Sequence, residues 1–126
     1  MTSEQPQPAL DRILAVLRHS HDRLVGVVTP LTAEQVQSRS YDTEWSIAQV
    51  LSHLGSGAEI FTMFLDAGLQ GVGELGTDIF PPVWDRWNAK APGEQARDGL
   101  TADAAFLDQI DALSPDQREN WRLTMF

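Results

Sequence analysis

The 126-residue chain contains no cysteine. A disulfide framework and a thiolate-based zinc site are therefore excluded, and any thiol chemistry must come from a cofactor. Basic residues are scarce, 9 Lys and Arg against 18 Asp and Glu, for a net charge of −9. That balance argues against nucleic acid, where cations must offset phosphate, and against an anionic membrane surface. No apolar run approaches the length of a membrane span. The opening Met-Thr-Ser-Glu-Gln-Pro-Gln-Pro is polar and lacks the pattern of a signal peptide, so the expected location is the cytoplasm. The glycine-rich stretch from Gly68 to Gly73 has neither a Gly-Lys-Ser/Thr ending nor a preceding strand, which removes a phosphate loop. No hairpin dipeptide separates alternating apolar runs, and Asp98-Gly99 lies in a helical context.

What is present is helical period. The length suits one domain with a real core, and 42% hydrophobic residues are ordinary for a globular chain. After a polar tail at residues 1–8, Leu10, Ile13, Leu14, Leu17, Leu24, Val25 and Val28 mark a first helix ending at Thr29-Pro30. Thr32 and Gln35 have capping-box spacing and predict a short helical turn. Ser46 and Gln49 repeat that spacing ahead of a second helix, from about Ile47 to Leu65, whose stripe is Ile47, Val50, Leu51, Leu54 and Ala58. Gly55 and Gly57 inside it each cost about 1 kcal/mol against alanine, so close helix packing or room for a ligand is expected there. Ala67 to Gly76 reads as a loop. Pro81 and Pro82 open a short helix through Asn88, and Pro92 opens a third long helix to Leu113, interrupted by Gly99. Ser114-Pro115 is a further start signal. The apolar, β-leaning end from Trp121 to Phe126 needs something to bury against. The fold class is all-α.

Histidine is the only metal-ligating type besides carboxylate. His53 lies at the edge of the second helix's stripe, where it can look into a bundle cavity. His19 and His21 are two residues apart on the first helix and cannot chelate together. No Glu-x-x-x-His or His-x-x-x-His pair occurs. In the short helix, Trp84 and Asn88 share a face, with Trp87 one residue off that line. A tryptophan lid over the bundle is the simpler reading. The functional one gives Arg86 or Asn88 a substrate carboxylate or amide. Asp103, Asp108 and Asp111 fall off the apolar stripe and are expected to be solvated. Glu59 points away from the second helix's stripe. Ser52 is placed on a different face from His53, and no catalytic serine–histidine–acid arrangement emerges.

Trp-Ser-Ile-Ala-Gln-Val-Leu-Ser-His-Leu-Gly, Trp45 to Gly55, resembles the second-helix motif of the DinB-like helical bundles. It is most similar to the mycothiol-dependent maleylpyruvate isomerase N-terminal domain. Val83 to Ala96, Thr101 to Leu113 and Leu31 to Val36 extend the resemblance over nearly the whole chain. It implies a four-helix bundle with a divalent, zinc-like metal at one end. The ligands would be a histidine on the second helix and two more on the fourth. It also implies mycothiol bound near the metal as a thiol co-substrate for isomerisation or transfer. Only His53 matches a ligand position. Three long helices are present, so the fourth is expected to be missing, through truncation, or supplied by another chain.

Two functions follow as expectations. One is the metal-binding bundle domain (residues 9–126) of a mycothiol-dependent isomerase or transferase. It would act on a small electrophile or organic acid, with His53 as metal ligand and Arg86 and Asn88 toward substrate. The alternative is a non-catalytic bundle that binds a small molecule or forms a homodimer through its open flank.

Overall fold

The computed structural model describes residues 8–41 and 44–124, and among them the regular elements are all helical. They run α1 (Pro8–Val28), α2 (Ile47–Leu69), α3 (Phe80–Asn88), α4 (Pro92–Asp111) and α5 (Pro115–Asn120), with 3-10 turns at Gln35–Gln37 and Thr77–Ile79. Among the described residues extended pairing is limited to two isolated bridges, Arg39 with Ser46 and Glu74 with Thr124. The expected tail at 1–8 lies outside the described residues, except that Pro8 opens α1.

Local chemistry sets the helix starts. The Ser46 hydroxyl accepts from the Gln49 N–H at 3.0 Å while the Ser46 N–H donates to Gln49 Oε1 at 2.8 Å. Thr32 with Gln35 and Ser114 with Gln117 form the same reciprocal pairs, each satisfying two otherwise free donors. At α4 the Ala91 N–H donates to Glu94 Oε1, and Pro92 sits in the first turn where its missing N–H costs nothing. α2 continues past Leu65 to Leu69, because Ala67 is buried and extends its inner face. The left-handed glycines Gly71 and Gly73 then turn the chain.

α2 and α4 form the central pair, with α1 packed on α4 and α3 on α2. Val28, Val36, Ala48, Leu51 and Ala96 make one buried cluster. Ile60, Phe64, Val83 and Trp87 make the other. The α2–α4 approach depends on glycine. A Cβ on Gly99 would run into the Leu51 carbonyl, and one on Gly55 would lie 2.8 Å from the Gly99 Cα and inside the Trp87 ring. Gly55 is thus explained by packing, whereas Gly57 has open space beside it.

Several expectations change here. On α1 only Leu14 and Val28 of the apolar stripe are buried, while Ile13 is 56% exposed and Leu17 44%. With Val16 they leave an uncovered apolar face. On α2 the buried line includes Ser52, Gly55 and Ser56, because neighbours on two sides, α4 and α3, widen the covered face. The C-terminal segment does find a surface. Trp121 packs its indole onto Gly68 and donates to the Leu65 carbonyl at 2.9 Å, and the Thr124 N–H reaches the Gly73 carbonyl at 2.6 Å. Phe126 lies outside the described residues.

Candidate functional site

The residues before α2 are tied down before they reach His53. The Ser40 N–H and hydroxyl both reach the Trp45 carbonyl at 2.9 Å, and the Ile47 N–H donates to the Ser38 carbonyl. This clamp sets Trp45 against the first turns of α2. Its ring lies edge-on to the His53 imidazole, with centroids 5.4 Å apart and planes at 73°.

Gln49, Ser52, His53 and Ser56 follow at intervals of three, one and three residues, which places them along one side of α2. Ser52 therefore joins His53 on a common wall, correcting the expectation of separate faces. Trp45 closes one flank and Trp84 with Asn88, from α3, the other. Together these residues line a cleft of about 380 Å³. His53 itself is exposed at the cleft, not enclosed in the bundle. The Ser56 hydroxyl donates to the His53 backbone carbonyl at 3.1 Å, so it is committed locally.

α3 is fixed to α2 by a clasp below the cleft. Both guanidinium arms of Arg86 reach the Glu59 carboxylate, the Nη1–Oε1 distance being 2.8 Å. The Trp87 indole N–H donates to the same Oε1 at 2.9 Å. The Arg86 hydrogen bond, and after it that of Trp87, outweighs partial burial and holds the Glu59 carboxyl below its ordinary range. Trp87 is 4% exposed, with Lys90 over its ring at 4.9 Å and Gln95 donating to its carbonyl. The expected tryptophan lid is thus split: Trp87 packs inward, while Trp84 is 45% exposed and faces the cleft.

Of the predicted site residues, His53 and Asn88 come together at the cleft, and Arg86 does not line it. Glu59, read from sequence as merely outward-facing, anchors the α3 wall. Sequence reasoning also missed Trp45, Ser52 and Ser56 as cleft residues. The spacing of Gln49, Ser52, His53 and Ser56 was the signal available for the two serines.

The expected solvation of the α4 acids holds for Asp108 and Asp111 and fails for Asp103. Asp108 and Asp111 stay exposed but pair with Arg18 of α1 at 2.8 and 2.9 Å. Asp103 is largely covered and lies 2.6 Å from His21 Nδ1. His21 is 8% exposed while His19 is open to solvent, consistent with divergent directions on α1.

A resident metal needs more than this cleft offers. Catalytic zinc takes three protein ligands from imidazole, carboxylate or thiolate. Beside His53 the cleft presents amides, hydroxyls and indoles, and among the described residues no group of three His, Cys, Asp or Glu could hold an ion. The described residues alone do not fit a metal centre.

The geometry defines a class: an all-α bundle domain with an aromatic-walled histidine cleft on its second helix. The family is more specific. The family model for the mycothiol maleylpyruvate isomerase N-terminal domain matches residues 17–125, and the chain belongs to that family. No match was found among curated proteins or solved structures. Among the described residues no helix is long and apolar enough to cross a membrane.

Proposed function

We propose that this chain is the N-terminal helical domain of a mycothiol-dependent isomerase or transferase, and that the His53 cleft is where it meets a small molecule. The observation that carries this reading is the family match, which spans both walls of the cleft, Trp45–Ser56 and Trp84–Asn88. The substrate class is a small electrophile or organic acid. Trp45 and Trp84 offer flat apolar walls to the ligand's body, and the Gln49 and Asn88 amides offer both donors and acceptors. Arg86 acts through Glu59 to position α3, and hence Asn88 and Trp84, instead of gripping a carboxylate itself. His53 would give a divalent ion such as zinc one imidazole ligand, with the rest of the shell coming from outside the described residues.

The test is a titration of the chain with mycothiol, with and without zinc, followed by NMR at the His53 ring and the Asn88 side-chain amide. Metal content is measured in parallel. The expected result is a saturable shift at both groups that His53→Ala abolishes. No shift at His53 under either condition overturns the reading.

A second reading, a module that pairs with another copy of itself, is favoured by the uncovered face of Ile13, Val16 and Leu17 on α1. Sedimentation equilibrium checks it: Val16→Glu should convert a dimer to a monomer, and a wild-type monomer across the accessible concentration range rules it out.

A further inference from the structure

A larger cleft, of about 560 Å³, opens between α1, the turn at Gln35–Gln37 and the first half of α4. It shares no lining residue with the His53 cleft. Its middle is apolar, with Val25 and Val28 from α1 facing Leu100 and Ala104 from α4.

Its polar side chains are Arg97, His21 and the threonines Thr29, Thr32 and Thr101. Arg97 supplies the one formal charge of the lining, and no acidic side chain lines it. In a chain with twice as many acids as bases, this is a local reversal of sign. Arg97 is exposed and makes no ion pair among the described residues, so its planar fork is free for a carboxylate.

The other group is His21. A carboxylate only accepts, so the bond to Asp103 places the His21 proton on Nδ1 (an assignment made from the partner). In the neutral ring Nε2 is then an acceptor. Nε2 has no partner among the described residues. Nor is it sealed off, since the only buried side-chain polar atom there lacking a partner is Nε of Arg118. His21 lines the cleft, and Nε2 is its ring nitrogen without a partner among the described residues.

Asp103, the partner of His21, follows Arg97 by six residues on α4, an axial rise of roughly 9 Å at about 1.5 Å per residue. A ligand that meets both groups needs a carboxylate, an apolar middle and a hydroxyl donor. We propose that this cleft is a binding site for a medium-length ω-hydroxy carboxylate. The acid group sits on Arg97, the methylene chain on Val25, Val28, Leu100 and Ala104, and the hydroxyl donates to His21.

The probes are 6-hydroxyhexanoate, hexanoate and hexane-1,6-diol, titrated into the chain with NMR detection at the Val25 and Val28 methyls and the His21 ring. The hydroxy acid should bind tightest. Loss of the carboxylate should weaken binding roughly tenfold, the scale of one charge-assisted pair. Arg97→Gln, at an exposed position, should bring acid and diol within about twofold of each other. Ala104→Leu, which fills the cleft, should abolish binding of all three. Equal binding of diol and hydroxy acid overturns the proposal, as does indifference to Arg97→Gln. Saturable shifts confined to His53, or no saturable shift up to the probes' solubility, overturn it too. Equal binding of hexanoate and 6-hydroxyhexanoate overturns the role of His21.

Discussion

His21 and His53 lie on different long helices and meet opposite surroundings. His21 is covered, its ring nitrogen bonded at 2.6 Å to a carboxylate from another helix. His53 is exposed, and its ring lies 5.4 Å from the Trp45 indole. The first is held by a partly buried polar pair that joins α1 to α4. The second stands on a wall whose opposite side, α3, is kept in place by a surface clasp. Burial makes His21 a side chain the fold depends on through Nδ1, with Nε2 alone left over, whereas water surrounds the ring of His53.

The most direct way to break this comparison is to truncate both rings. His21→Ala should cost about 2–3 kcal/mol in urea unfolding, because Asp103 loses its partner where water reaches it poorly. His53→Ala should stay within about 0.5 kcal/mol. Equal losses would mean that burial does not separate the two histidines.

Next in size is the spacing of the helix that carries Asp103. Gly99→Ala should destabilise by about 2 kcal/mol by driving α4 away from the Leu51 carbonyl. Gly57→Ala, on the same helix as His53 and with nothing near its added methyl, should stabilise by about 0.5–1 kcal/mol. Thermal midpoints of the two variants should therefore move in opposite directions.

The clasp beneath the His53 cleft gives a smaller effect with a pH signature. Arg86, and then Trp87, hold the folded-state carboxyl of Glu59 below its ordinary value. Its contribution is full above that ordinary value and is lost as pH falls through the lowered one. Glu59→Gln should cost about 1 kcal/mol near neutrality, discounted for the exposure of Arg86. The gap from wild type should narrow as pH falls below the ordinary carboxylate range and close once it passes the lowered value. A gap that persists in acid would show that the clasp acts through shape and not charge.

Much of the framework was readable in the residues. Both capping boxes formed as their spacing required, Ser114 caps α5, and prolines 82, 92 and 115 sit in first helical turns, because caps and prolines act within a few residues of themselves. The burial pattern of α1 was not readable: a stripe marks a capacity to be covered, and coverage depends on which helices arrive. The pairs His21–Asp103 and Glu59–Arg86 join residues 82 and 27 positions apart, and no local rule links them. Ser52 and Ser56 were hidden for a related reason, since a polar residue at helical spacing looks solvent-facing until a neighbouring helix covers it.

The division of the tryptophans has an optical consequence. Trp45 and Trp84, 40% and 45% exposed, flank the His53 cleft, while Trp87 is buried and Trp121 half-buried against Gly68. The chain therefore carries two populations of fluorophore, a water-facing pair that emits to the red and a packed pair that emits to the blue. A ligand entering the His53 cleft should shift and shield only the red component from iodide. Unfolding should move the blue one. Occupancy and integrity of this domain can be read from the same emission spectrum, with no label added.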